Sequence, residues 1–260
     1  MYRFLTLLTL TVACAASAAP RSQCYTGYAY HPEDNSLAFT ARYTPIGPEG
    51  NLLQKWQVIY RNPSDETIAT KVLDFSYSEF LPVYHREFKD SGNMIGIERD
   101  ANANWRMLNR KGTNGTVNSE PFERQPNMAS DNGIHPFIVE HFDELMANET
   151  VNFKLVLAAR ERVLNMRLDR IDDSAVNGQR AVRFRAQVDM LFVGWFTQKL
   201  VFTYNPENKR LISYRGVSNM QDERGKSYPV EVRYYQGDAP ASMPSMPACD
   251  SKLADSATPS

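Results

Sequence analysis

Side chains alternate with a period of two through most of this 260-residue chain, and that pattern commits it to strands rather than helices. The run from Arg180 to Tyr235 shows it best. Val182, Phe184, Ala186, Val188 and Met190 alternate with Arg183, Arg185, Gln187 and Asp189, as a half-buried strand requires. Leu200, Phe202 and Tyr204 follow, and Asn205-Pro206-Glu207-Asn208 turns the chain into a strand from Arg210 to Val217. Asp222 to Lys226 then leads to a last strand in which Tyr228, Val230, Val232 and Tyr234 share a face. No catalytic motif interrupts these four strands.

The same alternation governs the first hundred residues. Two strands flank the turn cluster His31 to Asn35, and in the second Leu37, Phe39, Ala41 and Tyr43 lie on one side. Trp56, Val58 and Tyr60 alternate with Lys55, Gln57 and Ile59; Ala69, Lys71, Leu73 and Phe75 share a face in the next strand. Leu81 to Phe88, Met94 to Glu98 and Trp105 to Leu108 are shorter candidates separated by turn formers. Lys111 to Gly133 is polar and rich in Asn, Gly, Ser and Pro, which predicts a long surface loop leading from sheet to helix. The helix is Pro136 to Ala147, where Phe137, Ile138, Phe142, Leu145 and Met146 form one apolar stripe. Val151 to Arg160 and Arg162 to Ile171 then read as a hairpin, with Asp172 to Gln179 as the next turn.

The N-terminal residues carry Arg3, an apolar run from Phe4 to Ala13 and small residues at Ala16 and Ala18, the pattern of a secretory signal over residues 1–18. A rival reading makes Cys14 a lipidation site that tethers the chain to a membrane. Either implies export, to the periplasm if the source is bacterial. No other stretch reaches the roughly 18 consecutive apolar residues of a spanning helix, so the mature chain is expected to be soluble or merely anchored, with membrane contact possible but no transmembrane segment. Export to an oxidising compartment predicts a bridge between Cys24 and Cys249, closing a loop of roughly 225 residues and contributing about 5 kcal/mol less any strain. The net charge of -1 provides no general attraction for nucleic acid. Residues 238–260 lack periodicity and read as an irregular tail, leaving a single β-rich domain over 19–237.

The order of parts after residue 130 carries a resemblance. A helix of the form F-x-x-x-x-F-D-x-L (Phe137 to Leu145) is followed by Tyr204-Asn205-Pro206, a basic strand ending in Gly216, an acidic turn closed by Gly225, and V-x-V-x-Y-Y from Val230 to Tyr235. This resembles an uncharacterised family of exported bacterial β-rich proteins and, more distantly, is similar to the periplasmic lipoprotein carriers, half-barrels with a helix against the concave side. The resemblance spans about the last 100 ordered residues, rests on strand order and transfers no functional residue. It implies a concave apolar surface able to hold an acyl chain or a lipidated protein.

Chemistry-bearing residues are sparse. His31, His85, His135 and His141 lack metal-ligand spacing, there is no G-x-S-x-G elbow, and no motif calls for a cofactor. Arginines recur on outward positions of three consecutive strands, and Arg183 and Arg185 are candidates for anion binding. Interleaved Asp169, Asp172, Asp173 and Asp189 offer the competing outcome of cross-strand ion pairing. From Met190 to Phe196 both faces turn apolar around Gly194, which reads either as a bent strand buried on both sides or as the lip of a cavity. With a pocket under the helix, Phe142, Met190, Phe192, Trp195 and Phe196 would line it. The expectation is therefore a mainly β (α+β) protein, a curved antiparallel half-barrel-like sheet with one packed helix, that binds a hydrophobic or lipidated ligand without catalysis. An envelope scaffold without a small ligand, or a hydrolase with an unrecognised site, are the alternatives.

Overall fold

The computed structural model describes residues 24–46, 55–189, 199–222 and 224–236. The expected signal peptide with Cys14, the stretch containing Met190, Phe192, Trp195 and Phe196, and residues 237–260 with Cys249 lie outside the described residues. A first meander comprises β1 (Tyr25–Tyr30), β2 (Leu37–Pro45), β3 (Lys55–Arg61), β4 (Thr67–Asp74), β5 (Val83–Phe88), β6 (Met94–Arg99), β7 (Trp105–Arg110) and β8 (Asn118–Phe122). The short β9 (Met128–Ala129), a 3₁₀ turn at Asp131–Gly133 and the helices α1 (Ile134–Glu140) and α2 (Phe142–Met146) follow. A second meander contains β10 (Val151–Leu157), β11 (Arg162–Val176), β12 (Gln179–Val188), β13 (Leu200–Tyr204), β14 (Leu211–Gln221) and β15 (Ser227–Gln236).

All these strands form one sheet in the order β8-β7-β6-β5-β4-β3-β2-β1-β15-β14-β13-β12-β11-β10-β9. Neighbours are antiparallel except β9, which runs parallel to β10. Consecutive strands pair throughout, apart from one seam and one gap. The seam joins β1 to β15, with Tyr25 opposite Gln236 and Tyr30 opposite Glu231. The gap separates the edges β8 and β9, which are near neighbours in sequence.

The architecture is mainly β with packed helix, and the sheet is strongly curved, half-barrel-like and unclosed. Local devices match that curvature: the register shifts at Ala29/Tyr30, Tyr60/Arg61, Arg170/Asp172 and Thr203/Tyr204, each of which sharpens bend and twist. The two ends of the sheet approach without pairing. Val156 and Ala158, at the end of β10, share a core with Trp105 and Met107 of β7, and Asn118 Nδ2 donates to Glu161 Oε1 at 2.7 Å.

Inward-facing residues of β1–β7 and β15 form the larger core, including Phe39, Val58, Tyr60, Leu73, Ile97 and Val232. A smaller core lies where α1 and α2 pack on the concave face of β10–β13. There Phe142 meets Phe184 edge-on at 5.1 Å and Tyr204 at 5.7 Å. Phe137 packs between Phe80 and Phe153.

Three expectations need correction. The polar stretch Lys111 to Gly133 is not wholly loop, because β8 and β9 form the two margins of the sheet within it. The expected single helix begins earlier, at Ile134, and is broken at His141 (φ -92°, ψ 17°) into two segments that each bury apolar residues. The expected turn Asp172 to Gln179 shrinks to Asn177-Gly178, since β11 continues to Val176. Asp172 and Asp173 look like turn formers but are held in the strand by Arg183 and by Arg170 and Arg180.

Asn177 and Gly178 adopt φ values of 51° and 76°, the left-handed pair that a two-residue hairpin needs. A Cβ at Gly178 would meet nothing within 4 Å. Gly178→Ala is therefore expected to act through backbone strain alone and to lower the unfolding free energy by about 1 kcal/mol in urea titration. An unchanged midpoint would mean that the hairpin tolerates this strain.

Candidate functional site

Strands β4 and β5 set the geometry of the interior. Alternation turns Ala69, Lys71 and Leu73 of β4 inward, and Tyr84, Arg86 and Phe88 of β5 inward beside them. Lys71 stands directly opposite Arg86. Two like charges across a strand pair repel, and both are buried, with the Lys71 side chain 0% and that of Arg86 4% exposed. A third group must compensate.

Asp131 supplies it. Its Oδ1 lies 2.9 Å from Lys71 Nζ and its Oδ2 3.5 Å from Arg86 Nη1. Lys71 also donates to Asn132 Oδ1 at 2.5 Å, and Asn132 Nδ2 donates to the Tyr43 hydroxyl at 3.5 Å. Burial raises the Asp131 carboxyl, but Lys71 and Arg86 more than offset this and hold it below the ordinary carboxylate value. For Arg86, burial works against the charge while Asp131 and the neighbouring Tyr60 and Tyr84 favour it, and the net direction is upward. The cluster is thus charged: two cations and one carboxylate.

The 3₁₀ turn that delivers Asp131 is pinned to the β4–β5 connection. Ser130 N donates to Phe80 O at 3.0 Å, and Gly133 N to Ser130 O at 2.7 Å. A Cβ on Gly133 would fall 1.9 Å from Phe80 O, so only glycine permits this approach. Asp131 itself has φ 40°, a conformation that an L-residue holds only when its surroundings impose it.

The cluster opens on a cavity of about 1560 Å³ between the sheet and α1. Arg86, Asp131 and Asn132 contribute to its wall, together with Tyr25, Tyr43, Tyr60, Tyr84, Tyr214 and Tyr234. Tyr25 stacks on Tyr43 at 4.3 Å, and Lys71 Nζ lies 5.8 Å and 5.6 Å from the ring centres of Tyr60 and Tyr84. Burial pushes the phenols of Tyr43, Tyr60, Tyr84 and Tyr214 upward, so they remain neutral hydrogen-bonding groups. Toward α1 the wall becomes aliphatic, with Ile134, Val139, Leu155, Leu157, Leu200 and Leu211. His135 faces the same space, its Nδ1 3.0 Å from the Tyr204 hydroxyl. It is open to the cavity yet enclosed by protein, and that enclosure lowers its pKa to about 4, leaving a neutral imidazole near neutral pH.

The residues anticipated from sequence fall in different places. Phe142 is buried in the smaller core against Phe184 and Tyr204 and is not among the side chains lining the cavity. Met190, Phe192, Trp195, Phe196 and Cys249 lie outside the described residues, and Cys24 immediately precedes β1 with its Sγ 3.9 Å from Thr44 Oγ1. Arg183 and Arg185, anticipated as anion-binding, already face carboxylates: Arg183 Nε donates to Asp172 Oδ1 at 2.7 Å, and Arg185 lies 3.8 Å from Asp169. Arg170 and Arg180 both reach Asp173, at 2.5 Å and 3.3 Å. This outer face is laced with ion pairs of alternating sign.

Lys71, Arg86 and Asp131 were not anticipated as a site. A lysine on the apolar face of β4 was the available signal. Among the described residues no group of three His, Cys, Asp or Glu side chains could hold a metal ion, and no helix is long and apolar enough to cross a membrane. No family model, curated protein or solved structure matches the chain.

Asp131 has a depressed folded pKa, so its contribution to stability is present above about pH 4 and lost as pH falls through the lower folded value. Asp131→Asn leaves two buried, opposed cations and is expected to lower the unfolding free energy at pH 7 by about 3–5 kcal/mol. It should also flatten the acid side of the stability profile. Chemical denaturation from pH 3 to 7 reads both, and a loss below about 1 kcal/mol would show that the cluster stabilises little.

Proposed function

We propose that the protein is a non-catalytic binder that holds a hydrophobic or lipidated ligand inside the curved sheet, acting in the cell envelope after export. The observation that carries this reading is the cavity. Its volume of about 1560 Å³ exceeds the roughly 300–1,000 Å³ of ordinary small-molecule pockets, and aromatic and aliphatic residues make up most of its wall, with charged groups at Glu79, Arg160, Lys209 and Arg210 besides Arg86 and Asp131. Burial of an acyl chain there would contribute about 0.8 kcal/mol per methylene before the costs of association are subtracted.

The polar groups favour binding over turnover. The tyrosines are held neutral, Asp131 is held charged between two cations, and His135 is paired with a buried phenol rather than with a nucleophile and an orienting carboxylate. Pairing of Arg183 and Arg185 with Asp172 and Asp169 argues against the outer face as an anion site and leaves the interior as the stronger candidate.

Gently extracted protein is expected to carry lipid detectable by mass spectrometry, and delipidated protein to bind a fluorescent acyl probe. Val139→Trp, which pushes an indole from α1 into the aliphatic end of the cavity, should weaken that probe about tenfold or more with an unchanged fold by circular dichroism. Absence of copurifying lipid together with absence of probe binding would sink the proposal.

A further inference from the structure

Within that ligand-binding reading, we infer that the cavity selects an amphiphile with a single negatively charged head, and that Arg86 receives the head. The charge count carries the inference. Lys71 and Arg86 present two positive charges to the interior against one carboxylate, that of Asp131, so the buried cluster retains one positive charge. A buried charge left without a counter-charge is costly, and an anion entering the cavity would supply the missing one.

Arg86 is the member placed to receive it. Lys71 is committed to Asp131 and Asn132 and is not among the side chains lining the cavity, whereas Arg86 lines it. The guanidinium of Arg86 has Tyr60 as a hydrogen-bonding neighbour, but its Nε and Nη1 are both buried and complete no hydrogen bond among the described residues, although Nη1 lies 3.5 Å from Asp131 Oδ2. Unsatisfied buried donors on a guanidinium are poised to gain from a carboxylate or phosphate oxygen. The neutral hydroxyls of Tyr60 and Tyr84 lie on the same inner face, and Asn132 adds a side-chain amide.

Leu155, Leu157 and Leu200 line the same cavity, belong to the core packed with α1 and α2 rather than to the core around β4 and β5, and suit the tail. The head is therefore held inside the protein rather than at its surface. A carboxylate, with one negative charge, matches the excess of one positive charge more closely than a doubly charged phosphate monoester.

A head-group series on delipidated wild-type protein tests this without requiring a variant to fold. Oleate, oleyl alcohol, dodecanoate, dodecyl phosphate and butyrate are titrated by calorimetry at fixed salt. Oleate is expected to bind about ten- to a hundredfold more tightly than oleyl alcohol, with butyrate weak for lack of a tail. Dodecyl phosphate stronger than dodecanoate would overturn the assignment to a singly charged carboxylate head. Equal binding of oleate and oleyl alcohol would overturn the charge-selective site while leaving an apolar cavity intact, and failure of every long-chain compound would overturn the cavity reading itself.

Arg86→Met should abolish the preference for oleate over its alcohol while retaining affinity for the alcohol. If that variant does not fold, Asp131→Asn provides a second readout. Its excess positive charge should be relieved by oleate, giving a larger rise in melting temperature than in wild type and little rise with oleyl alcohol. An equal rise with the two ligands would count against the inference.

Discussion

Two cations placed face to face on the inside of a β-sheet oblige the rest of the molecule to answer them. The pleat of β4 and β5 brings Lys71 and Arg86 opposite one another, and neither can reach bulk water. The answer comes from a residue 60 positions away in sequence from Lys71. Delivery of Asp131 requires the chain to leave β8, pass the open edge, form β9 and turn tightly against Phe80. The entry of α1 into the concave face is set by the same turn, because Gly133 ends the 3₁₀ segment and caps the helix. One electrostatic requirement thus ties together the gap in the sheet, the position of the helix and the polar end of the cavity.

The helix divides the interior into unequal parts. Over β10–β13 its apolar stripe is matched by Phe153, Phe184 and Tyr204, and the space is filled. Over β1–β5 it does not reach the sheet, and tyrosine rings line the space. Tyrosine suits that position because its ring presents apolar area while its hydroxyl can satisfy a neighbour such as Asn132 or Asn219. A core composed only of aliphatic side chains in the same place would have no means of accommodating Arg86.

Much of the sheet was legible in the sequence because a strand with one buried face records its orientation every second residue. Val182, Phe184 and Ala186 face inward as alternation requires, as do Val58 with Tyr60 and Val230 with Val232. Legibility failed where a local signal was overridden from a distance. Asp172 and Asp173 have the chemistry of a turn, yet arginines of β11 and β12 keep them extended. Asn118 to Phe122 is too polar to be recognised as a strand, because as an edge it buries almost nothing. The candidate site was half visible: Lys71 on an apolar face marks a buried charge in need of a partner, but nothing near Asp131 in sequence identifies it as that partner.

The seam between β1 and β15 has a consequence for how the chain acquires its structure. Almost every other pairing joins strands adjacent in sequence, so each meander can assemble from local hairpins with short loops to close. The seam joins the first described strand to the last, across nearly the whole described chain. Neither half has a complete interior before that late, long-range contact forms, since Ala29 of β1 and Val230 and Val232 of β15 belong to one core. Until that clasp closes, the lining of the cavity lacks the β1–β15 part of its wall, and the loop entropy of joining the two ends of the chain weighs on this one contact alone.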